Sequence, residues 1–226
     1  MPALSYKILT APTVEPVSLT DMKLYLNVDY SDSDTFISSL ISYARRYAEK
    51  ITKRALCPQT IQCTIEPPRI PEGELSGPIG GDFDPYRLNE RITTVPFGFY
   101  GPSFALPFSP VIAVSTVEYQ LTPFDGQPAA TMQWTTLPAL DAGSNANYLL
   151  DTNPDPNQIV LRPLLVANRF RVTYTAGYGD VSTSTCPETV TDAIKALASW
   201  RFDNRQGQEI PDSITQSLAR ERIYTL

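Results

Sequence analysis

The sequence predicts an α+β fold: N- and C-terminal helices form a small helical bundle, and a central antiparallel β block carries a long insertion rich in proline, glycine and aromatic residues. Near both ends of the chain, apolar residues recur every three or four positions, the spacing of one buried helix face. The middle of the chain holds short alternating runs rich in β-branched and aromatic residues, as half-buried strands do. Two of these runs are separated by a proline-dense segment that excludes regular helix.

Two helices are predicted in the first 58 residues. Ser18 is a suitable N-cap for the first, with Asp21 in its first turn, because oxygen atoms and negative charge stabilise a helix N-terminus. We expect this helix to end near Val28. The second opens at residues 32–34 and should run to about Arg54. Its apolar stripe comprises Phe36, Ile37, Leu40, Ile41, Ala44, Tyr47, Ala48 and Ile51.

The second helix also carries a cluster of cations near its end. These residues are Arg45, Arg46, Lys50, Lys53 and Arg54. Their positive charges lie where the helix macrodipole favours them. We therefore interpret the cluster as a solvated helix end in preference to a nucleic-acid site.

Five strands are predicted in the central block, at residues 59–65, 111–119, 148–150, 158–161 and 169–175. The insertion between the first two covers residues 66–110 and holds nine prolines and six glycines. Because disordered linkers are normally poor in aromatic residues, we interpret it as an ordered arm that contacts another subunit or a neighbouring protein. The residues predicted to make that contact are Phe83, Tyr86, Phe97, Phe99 and Phe104.

The helical spacing returns after Pro187. Val190, Ile194, Leu197 and Trp200 mark one buried face of a helix that should end near Asn204. A last short helix is predicted to start at residues 211–213. We predict one domain over residues 1–226, with N-terminal helices in 1–58, the β block in 59–180 and C-terminal helices with a tail in 187–226.

The composition excludes several classes of function. Without any histidine, the chain cannot form a Ser-His-Asp triad, a Cys-His nucleophile or a histidine-ligated metal site. Cys57, Cys63 and Cys186 lack the close spacing of a metal motif, and we interpret them as buried thiols in a reducing compartment. We predict no enzyme, no catalytic, metal-binding or cofactor-binding residues, and no membrane partner.

One glycine-containing stretch needs its own interpretation. Residues 176–180 read AGYGD and directly follow a predicted strand. A phosphate-binding loop would place backbone N–H groups at a helix N-terminus, usually beside a lysine. Here Asp180 would repel phosphate and the next helix begins several residues later. We therefore expect Gly177 and Gly179 to adopt positive φ where the chain turns towards the last helices.

Four stretches of the sequence, in this order, resemble head–tail connector proteins. They are PTVEPVSLTDMKLYLNVD with the following SDSDTFISSLISYARRYAEKITKRAL, then LPFSPVIAVSTVEY, then FRVTYTAGYGD, and last CPETVTDAIKALASWRFDNR. Such proteins, also called adaptor or head-completion proteins, occur in tailed double-stranded DNA bacteriophages and in gene transfer agents. The resemblance covers nearly the whole chain except residues 66–107.

This resemblance implies a structural virion protein without catalysis. Such proteins assemble into a homo-oligomeric ring, typically a dodecamer, beneath the portal protein. The ring extends the DNA channel and joins the DNA-filled head to a tail, stopper or head–tail joining protein. Double-stranded DNA would pass through the lumen without specific binding, which suits a net charge of −6, because lysine and arginine contacts supply most non-specific DNA affinity. The protein would lie at the head–tail interface of the virion, and in the host cytoplasm before assembly.

The resemblance also implies that the C-terminal end docks on the portal. The predicted docking residues are Ile214, Leu218, Arg220, Arg222, Ile223, Tyr224 and Leu226. A frayed terminus is the alternative for this segment. For the whole protein, the alternative is a tail-associated accessory protein that binds carbohydrate or a receptor through the aromatic insertion.

Overall fold

The computed structural model describes residues 3–66, 103–121, 133–137, 148–161, 167–180, 184–205 and 209–223. Its elements are, in chain order, β1 (Ala3–Thr10), α1 (Leu19–Leu26), α2 (Asp34–Thr52), β2 (Gln59–Glu66), β3 (Ser103–Ala105), β4 (Val111–Leu121), β5 (Thr135–Leu137), β6 (Tyr148–Asp151), β7 (Gln158–Leu161), β8 (Ala167–Ala176), α3 (Glu188–Asp203) and α4 (Asp212–Arg220). The predicted α+β class is confirmed, with four helices in these described ranges.

The described strands form two sheets. The larger has the order β1-β2-β8-β4-β5 and the smaller the order β3-β7-β6. In the larger sheet β4 and β5 run antiparallel, with Val117 opposite Leu137. Both strand pairs of the smaller sheet are also antiparallel. The antiparallel pairing predicted for the central block is therefore confirmed at these three pairs.

The sequence predictions and the described elements agree at four helices and five strands. The bounds differ by a few residues, since α2 ends at Thr52 and β8 already begins at Ala167. Three strands were missed, of which β1 is the longest. The chain therefore opens with a strand and not with a helix. β3 and β5 have three residues each, too few for an alternating pattern to stand out.

The chain divides into two compact units. One comprises Met1–Lys7, Gln62–Leu106 and Val114–Tyr174, and the other Ile8–Ile61, Pro107–Ala113 and Thr175–Leu226. The three-stranded sheet lies in the first unit and the four helices lie in the second. The single domain expected from the sequence stays a prediction.

The four helices of the second unit share one cluster of buried apolar side chains. Met22, Ile37, Leu197 and Leu218, one from each helix, are fully buried. Of the residues predicted for this core, Leu40, Ile41, Ala44, Ala48, Ile194 and Leu197 are buried, and Trp200 is half-buried against them. In the described ranges, no helix is both long and apolar enough to cross a membrane.

The short helix α1 is delimited by its two caps. The Ser18 side chain accepts a hydrogen bond from the N–H of Asp21 at 3.0 Å, as predicted for the N-cap. At the other end Asn27 adopts the left-handed conformation with φ 54°, and its N–H bonds back to the helix. Asparagine tolerates this conformation better than most residues, so α1 ends here.

Candidate interaction surfaces

The C-terminal segment predicted to dock on the portal is fixed to the chain's own helices. Leu218 is fully buried, Ile223 is 7% exposed, and Ile214 packs partly buried on the helical core. Arg220 and Arg222 are exposed. Tyr224 and Leu226 lie outside the described residues. Among the described members of the predicted set, the apolar side chains are therefore buried or half-buried in their own chain and the two arginines are exposed. Docking on the portal through this segment stays a prediction.

Hydrogen bonds hold this segment in place. The N–H of Ile223 donates to the carbonyl of Thr52 at 2.9 Å. Arg54 Nε donates to the carbonyl of Glu221 at 2.7 Å. Thr189 Oγ1 donates to a Glu221 carboxylate oxygen at 3.1 Å. The described C-terminal segment is thus an ordered part of the helical unit and not a frayed end.

Of the aromatic residues predicted to contact a neighbour, Phe104 is described. Its side chain is half-buried on β3, and its ring lies 5.8 Å from the ring of Phe170 within the same chain. The other predicted contact residues, Phe83, Tyr86, Phe97 and Phe99, lie outside the described residues. Their role as contact residues stays a prediction.

Aromatic and arginine side chains meet on one surface of α2 and α3. Phe36 and Phe202 have ring centroids 5.9 Å apart. The Arg205 guanidinium lies 4.9 Å from the Phe36 ring centroid, and that of Arg201 lies 5.6 Å from the Tyr43 ring centroid. The sequence pattern placed Phe36 in the buried stripe, but it is 36% exposed. These rings are covered in part by guanidinium groups of the same chain.

The strand β1 presents apolar side chains to solvent, a feature that the sequence analysis missed. All seven of its residues from Leu4 to Thr10 are exposed. The exposed fractions are 44% for Leu4, 53% for Tyr6, 47% for Ile8 and 45% for Leu9. The signal was the alternation of Leu4, Tyr6 and Ile8, which lie on one face of a strand.

A second group of exposed apolar residues lies at the end of α1 and just after it. Leu24 is 76% exposed, Tyr25 53% and Tyr30 52%. We call these three residues the α1 patch. The buried residue of α1 is Met22.

A buried ion network ties the segment before α1 to α2. Arg45 Nε donates to Glu15 Oε2 at 2.8 Å, and Arg45 Nη1 donates to Glu49 Oε2 at 3.0 Å. The other oxygen of Glu49 accepts from the Leu56 N–H and from Gln59 Nε2, both at 3.2 Å. Arg45 is 5% exposed, so its interpretation as part of a solvated helix end is wrong. Arg46, Lys50 and Lys53 are exposed, as expected.

The network sets the protonation of its members. Burial raises the pKa of the Glu49 carboxyl, and this effect exceeds the lowering by Arg45 and by the Leu56 N–H. Burial lowers the pKa of Arg45, but the hydrogen bond to Glu15 and the charges of Glu49 and Glu15 outweigh it. The pKa of Arg45 is therefore raised and the guanidinium stays charged. It is the permanent counter-charge of Glu49.

The three cysteines are free thiols. Cys57 and Cys63 are buried, as predicted, whereas Cys186 is half-buried. Burial raises the pKa of Cys57 to about 11 and that of Cys63 and of Cys186 to about 12. Since the thiolate is the reactive form, all three are poor nucleophiles at neutral pH.

The AGYGD stretch forms a turn after β8, as expected from its glycines. Gly177 has φ 140° and Gly179 has φ 87°. The N–H of Gly177 donates to the carbonyl of Pro110 at 2.9 Å. A Cβ at position 177 would lie 2.4 Å from the carbonyl carbon of Cys57 and 2.5 Å from the nitrogen of Pro58. The glycine is required by backbone conformation and by close packing of two backbone segments.

Comparison with protein families gives a match to part of the chain. The model of the family described as "Phage gp6-like head-tail connector protein" matches residues 16–75, a segment that includes α1, α2 and β2. No curated protein matches the sequence at a significant level. The resemblance to head–tail connector proteins that the sequence predicted is confirmed.

Solved structures share the fold over nearly the whole chain. One is from the neck of an empty gene transfer agent particle computed with C6 symmetry, with 15% sequence identity and a TM-score of 0.63. The match covers 98% of this chain and 97% of that one. A second, from the neck of a native particle computed with C12 symmetry, has 16% identity, a TM-score of 0.60 and the same coverage. A third, from the virion of a native gene transfer agent particle, has 16% identity, a TM-score of 0.61 and covers 98% and 96%.

Proposed function

We propose, from the confirmed resemblance to head–tail connector proteins, that this chain is a structural protein of a virion neck. Copies of it form a ring under the portal, with twelve as the expected number. The ring extends the DNA channel and joins the DNA-filled head to a tail, stopper or head–tail joining protein. The protein is made in the host cytoplasm and works at the head–tail interface of the particle.

The observation that carries the proposal is the connector-family match over residues 16–75, a segment that includes α1, α2 and β2. The likeness in fold adds support, because it extends over 98% of the chain and includes structures from particle necks. Those necks were computed with C6 and C12 symmetry. Cyclic assemblies of this kind are built from one repeated head-to-tail contact between copies.

The charge of the chain suits a channel through which DNA passes. With 24 acidic and 18 basic residues, the chain is net negative. Of its basic groups, Arg45 is bound to two carboxylates, and Arg171 forms a bidentate pair with Glu118 at 2.7 and 2.8 Å. Cations already paired in this way contribute little to phosphate binding, which is governed by the number of phosphates that are neutralised. The net negative charge of the chain disfavours contact with phosphates and suits a lumen through which DNA moves without being held.

Electron microscopy of the purified full chain tests this function directly. We expect rings with a central hole wide enough for duplex DNA, either in free solution or on added portal-bearing heads. In particles made without the protein, we expect filled heads that fail to join tails or that lose DNA. Particles that assemble and retain DNA normally without it would overturn the proposal.

Docking on the portal is tested by an Arg220→Gln variant. Arg220 is exposed at the end of α4, and arginine is enriched among the few residues that carry most of the energy of an interface. We expect attachment to portal-bearing heads to weaken by at least about 10-fold, the effect of roughly 1.4 kcal/mol. Glutamine is a good helix former, so α4 should persist.

Arg46→Gln provides the matched control, since Arg46 is an exposed arginine on α2. This variant should attach as the unmodified chain does. Equal loss in both variants would mean a general charge effect and would refute docking through Arg220. Truncation before α4 is a poorer test, because it removes the fully buried Leu218 from the core.

A further inference from the structure

The strand β1 is unusual because none of its described side chains is buried in its own chain. Residues 4–10 are all exposed, and the sheet order of the described strands places β1 at one edge. Backbone hydrogen bonds to β2 fix its position, but side-chain burial contributes little to its ordering. A strand of this kind gains most from a partner, because edge strands offer unpaired backbone groups and here also apolar side chains.

We propose that β1 of one copy packs against the α1 patch of the next copy, and that this contact is the repeated head-to-tail interface of the ring. The inference rests on the proposed function, since it names the contact by which the ring closes. Its occupant is a second copy of this chain. Two different surfaces are needed for such a contact, because a surface that pairs with itself closes a dimer and stops.

The area of β1 fits an interface core. Three of its exposed apolar residues, Leu4, Tyr6 and Ile8, share one face and present roughly 290 Å² if a fully exposed large side chain offers about 200 Å². Apolar patches of a few hundred Å² mark interaction sites. A stable interface buries about 800 Å² on each partner, including a polar rim. This face of β1 therefore supplies roughly a third of the required surface, as an apolar centre.

The α1 patch is the matching surface among the described residues. Phe36 and Tyr43 are exposed as well, but guanidinium groups of their own chain stack on them. Ile112 and Leu149 are exposed on two separate strands. Leu24, Tyr25 and Tyr30 form the remaining group, and two of the three are tyrosines, which are enriched in interfaces.

Charge also favours this pairing. Lys7 is the one charged residue of β1, and it is exposed. Asp29 and Asp32 lie on either side of Tyr30 in the sequence and are exposed. In the described part of the chain, none of the three forms an ion pair. A second copy would bring opposite charges together at the rim, where they favour the correct partner and speed association.

The test uses two double variants of the full chain. Tyr6→Thr with Ile8→Thr removes the apolar face of β1 but keeps a strand-forming side chain. Leu24→Gln with Tyr25→Gln removes the α1 patch but keeps good helix formers. The matched control is Ile112→Thr, because Ile112 is 46% exposed on a strand and Ile8 is 47% exposed. Native mass spectrometry and sedimentation velocity over a concentration series report assembly, and thermal unfolding reports folding.

We expect the unmodified chain and the Ile112→Thr variant to form rings. Each double variant alone should remain monomeric, with self-association at least about 100-fold weaker, since both altered side chains belong to the interface centre. An equal mixture of the two double variants should form one-to-one dimers and nothing larger. The reason is that each molecule keeps only one intact surface. One variant contributes its β1, the other contributes its α1 patch, and no second contact is left to extend the pair.

Three results with the variants would overturn the proposal. If either double variant still forms rings, the altered surface is not part of the contact. If the mixture stays monomeric, β1 and the α1 patch are not partners of each other. If the β1 variant unfolds at a clearly lower temperature than Ile112→Thr, β1 is covered by its own chain. A wild-type chain that stays monomeric throughout also overturns this contact, whereas rings seeded by portal-bearing heads would still uphold the proposed function.

Discussion

An Arg45→Met variant is expected to lose about 3–5 kcal/mol of unfolding free energy at neutral pH, the cost of removing one partner from a buried ion pair. Arg45 is 5% exposed and Glu49 is 9% exposed. Without the guanidinium, the carboxylate of Glu49 keeps its bonds to the Leu56 N–H and Gln59 Nε2 but loses its counter-charge. Methionine keeps most of the aliphatic volume, so the loss reports charge and hydrogen bonding more than packing.

The double variant Arg45→Met with Glu49→Gln separates these contributions. Glutamine removes the unpaired charge but keeps an oxygen that can accept from the Leu56 N–H. We expect it to recover roughly half of the lost stability, since replacing a whole buried pair costs far less than breaking it. Urea unfolding of the three proteins measures the difference. If the double variant were no more stable than the single one, the uncompensated charge of Glu49 would not be the cause.

The pH dependence gives an independent check on the same network. Burial raises the folded-state pKa of Glu49 above its ordinary value of 4.5. A group with a raised folded-state pKa favours folding below its unfolded-state pKa, and this contribution is lost as pH rises through the folded-state value. Loss of Arg45 removes a charge that lowers this pKa. The deficit of Arg45→Met should therefore grow as pH rises through the folded-state pKa of Glu49, which lies above 4.5.

Arg45 shows why part of the structure could not be predicted from sequence. The sequence predicted that the cations near the end of α2 are solvated, and Arg46, Lys50 and Lys53 are exposed as predicted. The partner that buries Arg45 is Glu15, 30 residues earlier in the chain. Such a pair has no local signature, because it depends on how the segment before α1 returns to α2. Helix propensity and the macrodipole do not carry that information.

The strands illustrate the same limit from another side. β2 and β7 were predicted well because each alternates buried and half-buried residues against a core, and that alternation is visible in the sequence. β1 was missed although it is as long as β2 and its residues Leu4, Tyr6 and Ile8 alternate. Its apolar residues do not enter the core of this chain. In our proposal the pattern reflects burial by a second copy.

The C-terminal residues were predicted as a helix correctly, but their surroundings were not. Ile214 and Leu218 are four residues apart, the spacing of one face of α4. An apolar face can be covered by the same chain or by a partner, and spacing does not distinguish the two. Leu218 is covered by its own chain, because it belongs to the buried core that the four helices share. Arg220 and Arg222, close to Leu218 in the sequence, are exposed. Among the described residues, the hypothesis of docking on the portal therefore depends on these two arginines.

A Gly177→Ala variant is expected to lose about 3–5 kcal/mol of unfolding free energy, combining overpacking of about 1–3 kcal/mol with backbone strain of similar size. The added Cβ would lie 2.4 Å from the backbone carbonyl of Cys57 and 2.5 Å from the nitrogen of Pro58. Neither atom belongs to a side chain that can rotate away. The φ of 140° adds strain for any residue with a Cβ, and a shift of the turn would stretch the bond to the Pro110 carbonyl.

Gly179→Ala is the matched control, since Gly179 also has positive φ, at 87°, and reports the conformational cost of about 1–2 kcal/mol. Urea unfolding should rank Gly177→Ala as clearly less stable than Gly179→Ala. Equal costs in the two variants would mean that residues 57 and 58 move aside, and that close backbone packing does not require glycine here. A larger cost at position 177 would mean that the turn after β8 requires glycine there, because of its φ and its close contact with residues 57 and 58. No ligand would then be needed to explain the glycine.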